Sequence, residues 1–255
     1  MRMRKKKNLQ PRMEACRDCW VQNPYEMRGH WRDLMPQARE IRLELGCGKG
    51  RFTAETAQAE PDVLLIAVEK VPDAMVVAME RVTEMGLRNV FFIDGDAALL
   101  PEMFAGGEIS RIYINFCDPW PKSNQKKRRL THGNFLKQYR KVLPMGGQIH
   151  FKTDNDKLFA WSIEEIPQFG FTLSELTFDL HANGPVGVMT DYEAKFYGWA
   201  RTSTGAWPPW YPGRSRWRMR RRRMRRRREV SPALGRNAVR RGCCVLRRIT
   251  PPFTI

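Results

Sequence analysis

Five short runs of strand character, 41–45, 63–68, 89–93, 111–116 and 148–152, alternate with helical stretches at 51–59, 72–85, 97–103 and 132–142. No other feature of the chain restricts its fold as much. The runs are apolar on both faces, as strands buried between two layers of helix must be. The expected fold class is α/β, a mostly parallel sheet with helices on both faces. Each run also ends at or near a carboxylate: Glu44, Glu69, Asp96, Asp118 and Asp154. Ligands of such sheets bind beyond the carboxyl ends of the strands, so all five acids fall where a site would be.

The first strand-to-helix turn carries Gly46, Gly48 and Gly50 at alternate positions after Glu44. Glycine lets the backbone take positive φ and approach a ligand closely. The spacing is neither the dinucleotide fingerprint nor a phosphate loop. Glu69, at the end of the second run, has the position of an acid that accepts ribose hydroxyls, or of a solvated charge at a helix start. Asp96 can accept from an adenine amino group or cap the following helix. Acids without a phosphate-binding loop suit an adenosine ligand that lacks phosphates and carries positive charge, such as S-adenosylmethionine.

The segment INFCDPWPKSNQKKRR, residues 114–129, joins a carboxylate, a rigid aromatic corner and a basic loop. Pro119 and Pro121 fix the backbone on either side of Trp120 and so stiffen the support of Asp118. Lys122 and the loop Asn124, Gln125, Lys126, Lys127, Arg128 and Arg129 supply cations that suit phosphates without reading sequence.

The net charge of +18, from 45 basic and 27 acidic residues, is unevenly distributed. Residues 199–255 hold 17 Arg, no Lys and one acid, so they carry +16 and residues 1–198 only +2. A polyanionic partner is indicated for the clusters rather than for the whole surface. No run is apolar for long enough to span a membrane, and the basic start lacks the hydrophobic region of a signal peptide. A cytoplasmic chain, monomer or homodimer, is expected. Cys16-x-x-Cys19 has no second pair at zinc-site spacing within the regular part of the chain, and no metal is expected.

Glu44-Leu-Gly-Cys-Gly-Lys-Gly50, Asp118-Pro-Trp-Pro-Lys122, Lys152-Thr-Asp154 and Thr190-Asp-Tyr-Glu193 together closely resemble the bacterial tRNA (guanine-N7-)-methyltransferases. The resemblance covers about residues 1–198 and implies a Rossmann-like class I methyltransferase that uses S-adenosylmethionine. It implies that Glu44, Gly46, Gly48, Gly50, Glu69, Asp96 and Asp118 line the cofactor site, with Asp118 as the catalytic residue. Lys122, Asp154, Thr190, Asp191, Tyr192 and Glu193 would meet the substrate, and residues 124–129 the RNA. The implied target is the guanosine at position 46 in the tRNA variable loop. An amino-group methyltransferase acting on nucleic acid, and a basic RNA-binding protein without turnover, are the competing readings.

The implied domains are a basic amino-terminal arm (1–38), the methyltransferase domain (39–198) and an Arg-rich tail (199–255). After Gly198 the resemblance stops. Arginine without lysine fits an out-of-frame reading of GC-rich DNA, and a disordered RNA-binding arm is the rival reading. The aberrant carboxyl terminus makes the final strand of the sheet doubtful, and without that strand an edge would be exposed.

Overall fold

The computed structural model describes residues 5–178, 180, 186–195 and 242–248. Seven strands form one sheet: β1 Glu40–Leu45, β2 Val63–Glu69, β3 Val90–Asp94, β4 Arg111–Asn115, β5 Gln148–Thr153, β6 Phe171–Thr177 and β7 Gly242–Arg248. Their order is β3-β2-β1-β4-β5-β7-β6. Strands β1 to β5 are parallel, with Glu44 opposite Ala67 and Leu45 opposite Ile114, and β7 runs antiparallel to both β5 and β6. Strand order reverses between β1 and β4, and the carboxyl ends of strands at such a switch point are where ligands of open α/β sheets bind.

Helices cover both faces: α1 Leu9–Ala15, α2 Arg51–Ala59, α3 Pro72–Glu84, α4 Leu100–Met103, α5 Gly133–Val142 and α6 Asp156–Glu165. On one face Leu65, Ala67 and Phe92 meet Phe52, Ala57, Met75 and Met79. On the other Leu43, Ile66, Ile112 and Phe151 meet Trp31, Phe104, Leu136 and Leu158. The regular runs read from the sequence therefore form the elements expected, because burial on both faces leaves a strand no polar side to show.

Two regions differ from the sequence reading. Much of the amino-terminal arm is built into the domain. Arg12 grips Glu80 on α3 through two bonds of 2.6 Å, and Val21 donates to the Phe92 carbonyl at 2.9 Å. Trp31 is fully buried, stacked on Phe104 at 5.0 Å, and its Nε1–H donates to the Met103 carbonyl at 2.8 Å. Cys16 and Cys19 sit in the adjoining apolar cluster, where burial pushes the Cys19 thiol up to about 11.

The second difference is at the carboxyl terminus. The final strand, doubtful from the sequence, is supplied by β7, which fills the place between β5 and β6. Cys244, Val245 and Leu246 are buried there, and full burial of Val or Leu is worth about 1.5–3 kcal/mol each. Gly242 lies against the ring of Phe159 so closely that a Cβ would come within 2.4 Å of it. The run Cys243–Leu246 is apolar and starts after a glycine, a strand signal masked by the arginines around it. Residues 196–241, with the Arg214–Arg228 run, lie outside the described residues.

Candidate active site

At the carboxyl end of β1 the chain turns through Gly46, Gly48 and Gly50 with φ of +79°, +57° and +76°. All three conformations disfavour a side chain, but their surroundings differ. A Cβ on Gly46 or Gly48 would meet nothing within 4 Å, whereas one on Gly50 would lie 2.4 Å from the Ala78 Cβ. The third glycine therefore lets α2 approach α3, and the first two leave open space beside the backbone.

Glu44 is 1% exposed beneath this turn. It accepts from Thr53 Oγ1 at 2.6 Å and from Asn115 Nδ2 at 3.2 Å. Burial pushes its carboxyl up to about 7, against the pull of those two hydrogen bonds. Asn115 Oδ1 is buried with no partner among the described residues. Thr53 and Asn115 went unnoticed in the sequence. Asn115 at the end of β4 was the available signal, since an amide is unusual in a strand buried on both faces.

Glu69 is tied to the backbone. Its Oε2 accepts from the Gly48 N–H at 2.9 Å, and its Oε1 from the Lys70 and Val71 N–H groups at 2.9 and 3.0 Å. The acid thus locks the glycine turn to the end of β2. Asp96 accepts from the Ala98 N–H at 3.0 Å and from Lys70 Nζ at 2.6 Å, and both contacts lower its pKa. It caps the 3₁₀ turn Ala97–Leu99, one of the two roles its position allowed.

Asp118 contrasts with these. Its side chain is exposed and has no hydrogen-bond partner among the described residues. The backbone around it is unusual, because Phe116 and Trp120 have φ of +52° and +40°. Such conformations in bulky residues cost roughly 1–3 kcal/mol and persist only where the surroundings impose them.

The segment 190–193 lies over the same end of the sheet. Thr190 and Glu193 form a reciprocal capping box, N–H to side chain in both directions, at 2.9 and 3.0 Å. Asp191 takes a bidentate pair from Arg81 at 3.1 Å and the Arg51 N–H at 3.3 Å, joining it to α3 and the glycine turn. The Tyr192 hydroxyl donates to Asp154 Oδ2 at 2.6 Å, and its ring packs on Phe116 at 5.2 Å. Glu193 is buried 3.9 Å from Lys152 Nζ. The structure thus brings the Lys152-x-Asp154 and Thr190–Glu193 motifs together across 38 residues of sequence.

Lys122, Asn124, Lys126, Lys127 and Arg128 are exposed, and Gln125 is half-buried, on or beside the 3₁₀ turn Ser123–Arg128. Arg128 stacks 3.8 Å over the Trp120 ring. Arg129 departs from the outward position expected of an RNA contact. It is 7% exposed and donates to the Pro119 and Trp120 carbonyls, both at 3.1 Å. Its neighbours satisfy it internally, so its charge does not face solvent.

These features fit a small cationic ligand. Two carboxylates lie under and beside the turn, Asn115 Oδ1 is buried without a partner among the described residues, and space is open at two glycines. Among the described residues there is no cluster of His, Cys, Asp and Glu able to hold a metal, and no helix long and apolar enough to cross a membrane.

Comparison with known proteins gives a consistent result. A family described as putative methyltransferase matches residues 38–204. The tRNA (guanine-N(7)-)-methyltransferase of Geobacillus kaustophilus is 42% identical over 197 residues, covering 77% of this chain and 91% of that protein. The enzyme of the same name from Clostridium acetobutylicum is also 42% identical, over 77% and 93% of the two chains. Among solved structures, the 16S rRNA methyltransferase KamB superposes with a TM-score of 0.55 at 13% identity, over 88% of this chain and 94% of that one. At that identity the likeness concerns the fold alone.

Proposed function

Because the chain belongs to the tRNA (guanine-N(7)-)-methyltransferase family, we propose that it methylates N7 of the guanosine at position 46 in the tRNA variable loop. S-adenosylmethionine, the cofactor of the family, supplies an electrophilic methyl group when bound. The residues that would hold it are Glu44, Gly46, Gly48, Gly50, Glu69 and Asp96, together with Asn115. Glu69 holds the glycine turn in shape, and Glu44 presents negative charge toward a cation. The enzyme acts in the cytoplasm as a monomer or homodimer.

The observation that carries this reading is the exposed Asp118, without a partner among the described residues, on a stiff Pro-Trp-Pro corner followed at once by a cationic loop. Guanine N7 already has a free lone pair, so no proton must leave the base before it reacts. The demand on the protein is alignment, which is worth several kcal/mol when the reacting atoms are held in line. Asp118 and Asp154 can accept the N1–H and N2–H of the guanine edge and stabilise the positive charge that develops on the ring. Tyr192 holds Asp154 Oδ2, and Asp154 Oδ1 has no partner among the described residues. Lys122 and residues 124–128 would meet backbone phosphates.

The test is methyl transfer from labelled S-adenosylmethionine to an unmodified tRNA transcript, followed by chemical cleavage at N7-methylguanosine. Cleavage in the variable loop is expected. Methyl transfer to an exocyclic amino group, or to another loop, overturns the assignment.

A further inference from the structure

We propose that Arg129 is a positioning residue for the reaction: its buried guanidinium clamps the Asp118-Pro-Trp-Pro corner and thereby fixes the direction of the Asp118 carboxylate. The inference rests on the reading of Asp118 as the catalytic group.

Three observations carry it. First, the corner does not hold itself. Trp120 has φ of +40°, a conformation that costs an L-residue about 1–2 kcal/mol. Pro121 further restricts the residue before it, favouring extended backbone. Something outside the corner must impose this geometry.

Second, Arg129 is built to do so. Its Nε donates to the Pro119 carbonyl and its Nη2 to the Trp120 carbonyl, each at 3.1 Å, so one planar fork spans two consecutive peptide units. A lysine has one nitrogen and no such fork. No ion pair joins Arg129 to a carboxylate among the described residues. A buried cation without one is costly unless hydrogen bonds and an aromatic face replace its hydration. Trp161 on α6 provides that face, 4.5 Å from the guanidinium carbon.

Third, the platform beneath is rigid. The Trp161 ring also stacks on His132 at 6.1 Å, Ser162 shares a 2.7 Å hydrogen bond with Thr131, and Tyr139 donates to the Leu130 carbonyl at 2.9 Å. Asp118 is therefore supported from both sides, by β4 before it and by a braced corner after it. Of the four consecutive cations 126–129, three face solvent and the fourth faces inward.

The experiment compares the full-length chain with its Arg129→Lys and Arg129→Ala variants. The readouts are kcat, tRNA affinity against salt, and hydrogen exchange at residues 116–124. A misplacement of about 1 Å costs on the order of 100-fold in rate, so kcat is expected to fall by about that factor in both variants. The tRNA Kd is expected to stay within about twofold with an unchanged salt slope, since no phosphate contact is lost. Exchange at the corner should speed up, and methylguanidine should partly restore kcat in Arg129→Ala. Unchanged kcat with weaker tRNA binding and a shallower salt slope would make Arg129 a phosphate contact and overturn the proposal. Wild-type kcat and exchange in Arg129→Lys would overturn it as well. If Arg129→Ala does not fold, the lysine variant decides alone. Absence of tRNA methylation by the wild-type chain would remove the proposed function, whereas the exchange comparison would still decide whether Arg129 holds the corner.

Discussion

The two sides of the switch point treat their carboxylates differently. On one side Glu44, Glu69 and Asp96 are all engaged by the chain itself, through Thr53 and Asn115, through the glycine-turn backbone, and through Lys70. On the opposite side Asp118 is exposed and free of any described partner, while the backbone that carries it is strained and clamped. One side is preorganised through its side chains and the other through its main chain. A ligand that is the same in every turnover suits the first arrangement. A base that must enter and leave on a large nucleic acid suits the second, where an unengaged carboxylate awaits donors.

The sharpest way to break this contrast is Asp118→Asn. If the free carboxylate stabilises developing charge, kcat should fall by roughly 100- to 1,000-fold, about 3–4 kcal/mol. Cofactor affinity and thermal stability should hardly change, as calorimetry and melting would register. Full turnover with unchanged base specificity would remove Asp118 from the chemistry.

Next in size are the glycines. Gly50→Ala should destabilise the chain by about 3 kcal/mol, since overpacking against Ala78 adds to strain at φ of +76°. Gly46→Ala meets no neighbour and should cost only about 1 kcal/mol of strain. Its larger effect should be on cofactor affinity, and equal melting losses in the two variants would contradict the distinction.

Glu44 gives a pH signature of similar size. Its folded pKa, about 7, lies above the ordinary glutamate range, so the folded chain keeps a proton that the unfolded chain has released. Stability should therefore fall as pH rises from about 4.5 to about 7, by roughly 3 kcal/mol at most. Binding of a cation should favour the ionised form, so cofactor affinity should rise over the same window. Glu44→Gln should flatten both slopes, measured by denaturant melts and calorimetry at a series of pH values.

The smallest effects belong to the loop. Lys126→Gln or Lys127→Gln should weaken tRNA binding by about threefold at moderate salt. Each should reduce the salt slope by roughly 0.7–0.9, with kcat unchanged at saturation. An unaltered slope would detach these lysines from the phosphates.

Much of this was legible in the chain. The five runs, their intervening helices and the acids at their ends are local patterns, set by burial on both faces of a strand and by helix periodicity. The role of each acid was less legible. Asp96 also caps a turn and joins Lys70, and Glu69 also ties the glycine turn, because main-chain donors lie within reach. The basic loop read as four equivalent cations, yet the fold turns Arg129 inward because two carbonyls and Trp161 surround it. Strand β7 was overlooked because arginine dominates the composition around a four-residue apolar run.

By itself, then, the sequence determined the doubly wound sheet, the glycine turn and the position of every candidate acid, since each depends on residues close together in the chain. Tertiary structure alone decided which charges are free. Asp191 meets Arg81 across 110 residues, Tyr192 meets Asp154 across 38, and β7 reaches β5 across about 90. Whether a side chain is solvated or satisfied depends on such distant partners. For a charged group, that difference decides whether it supports the site or acts in it.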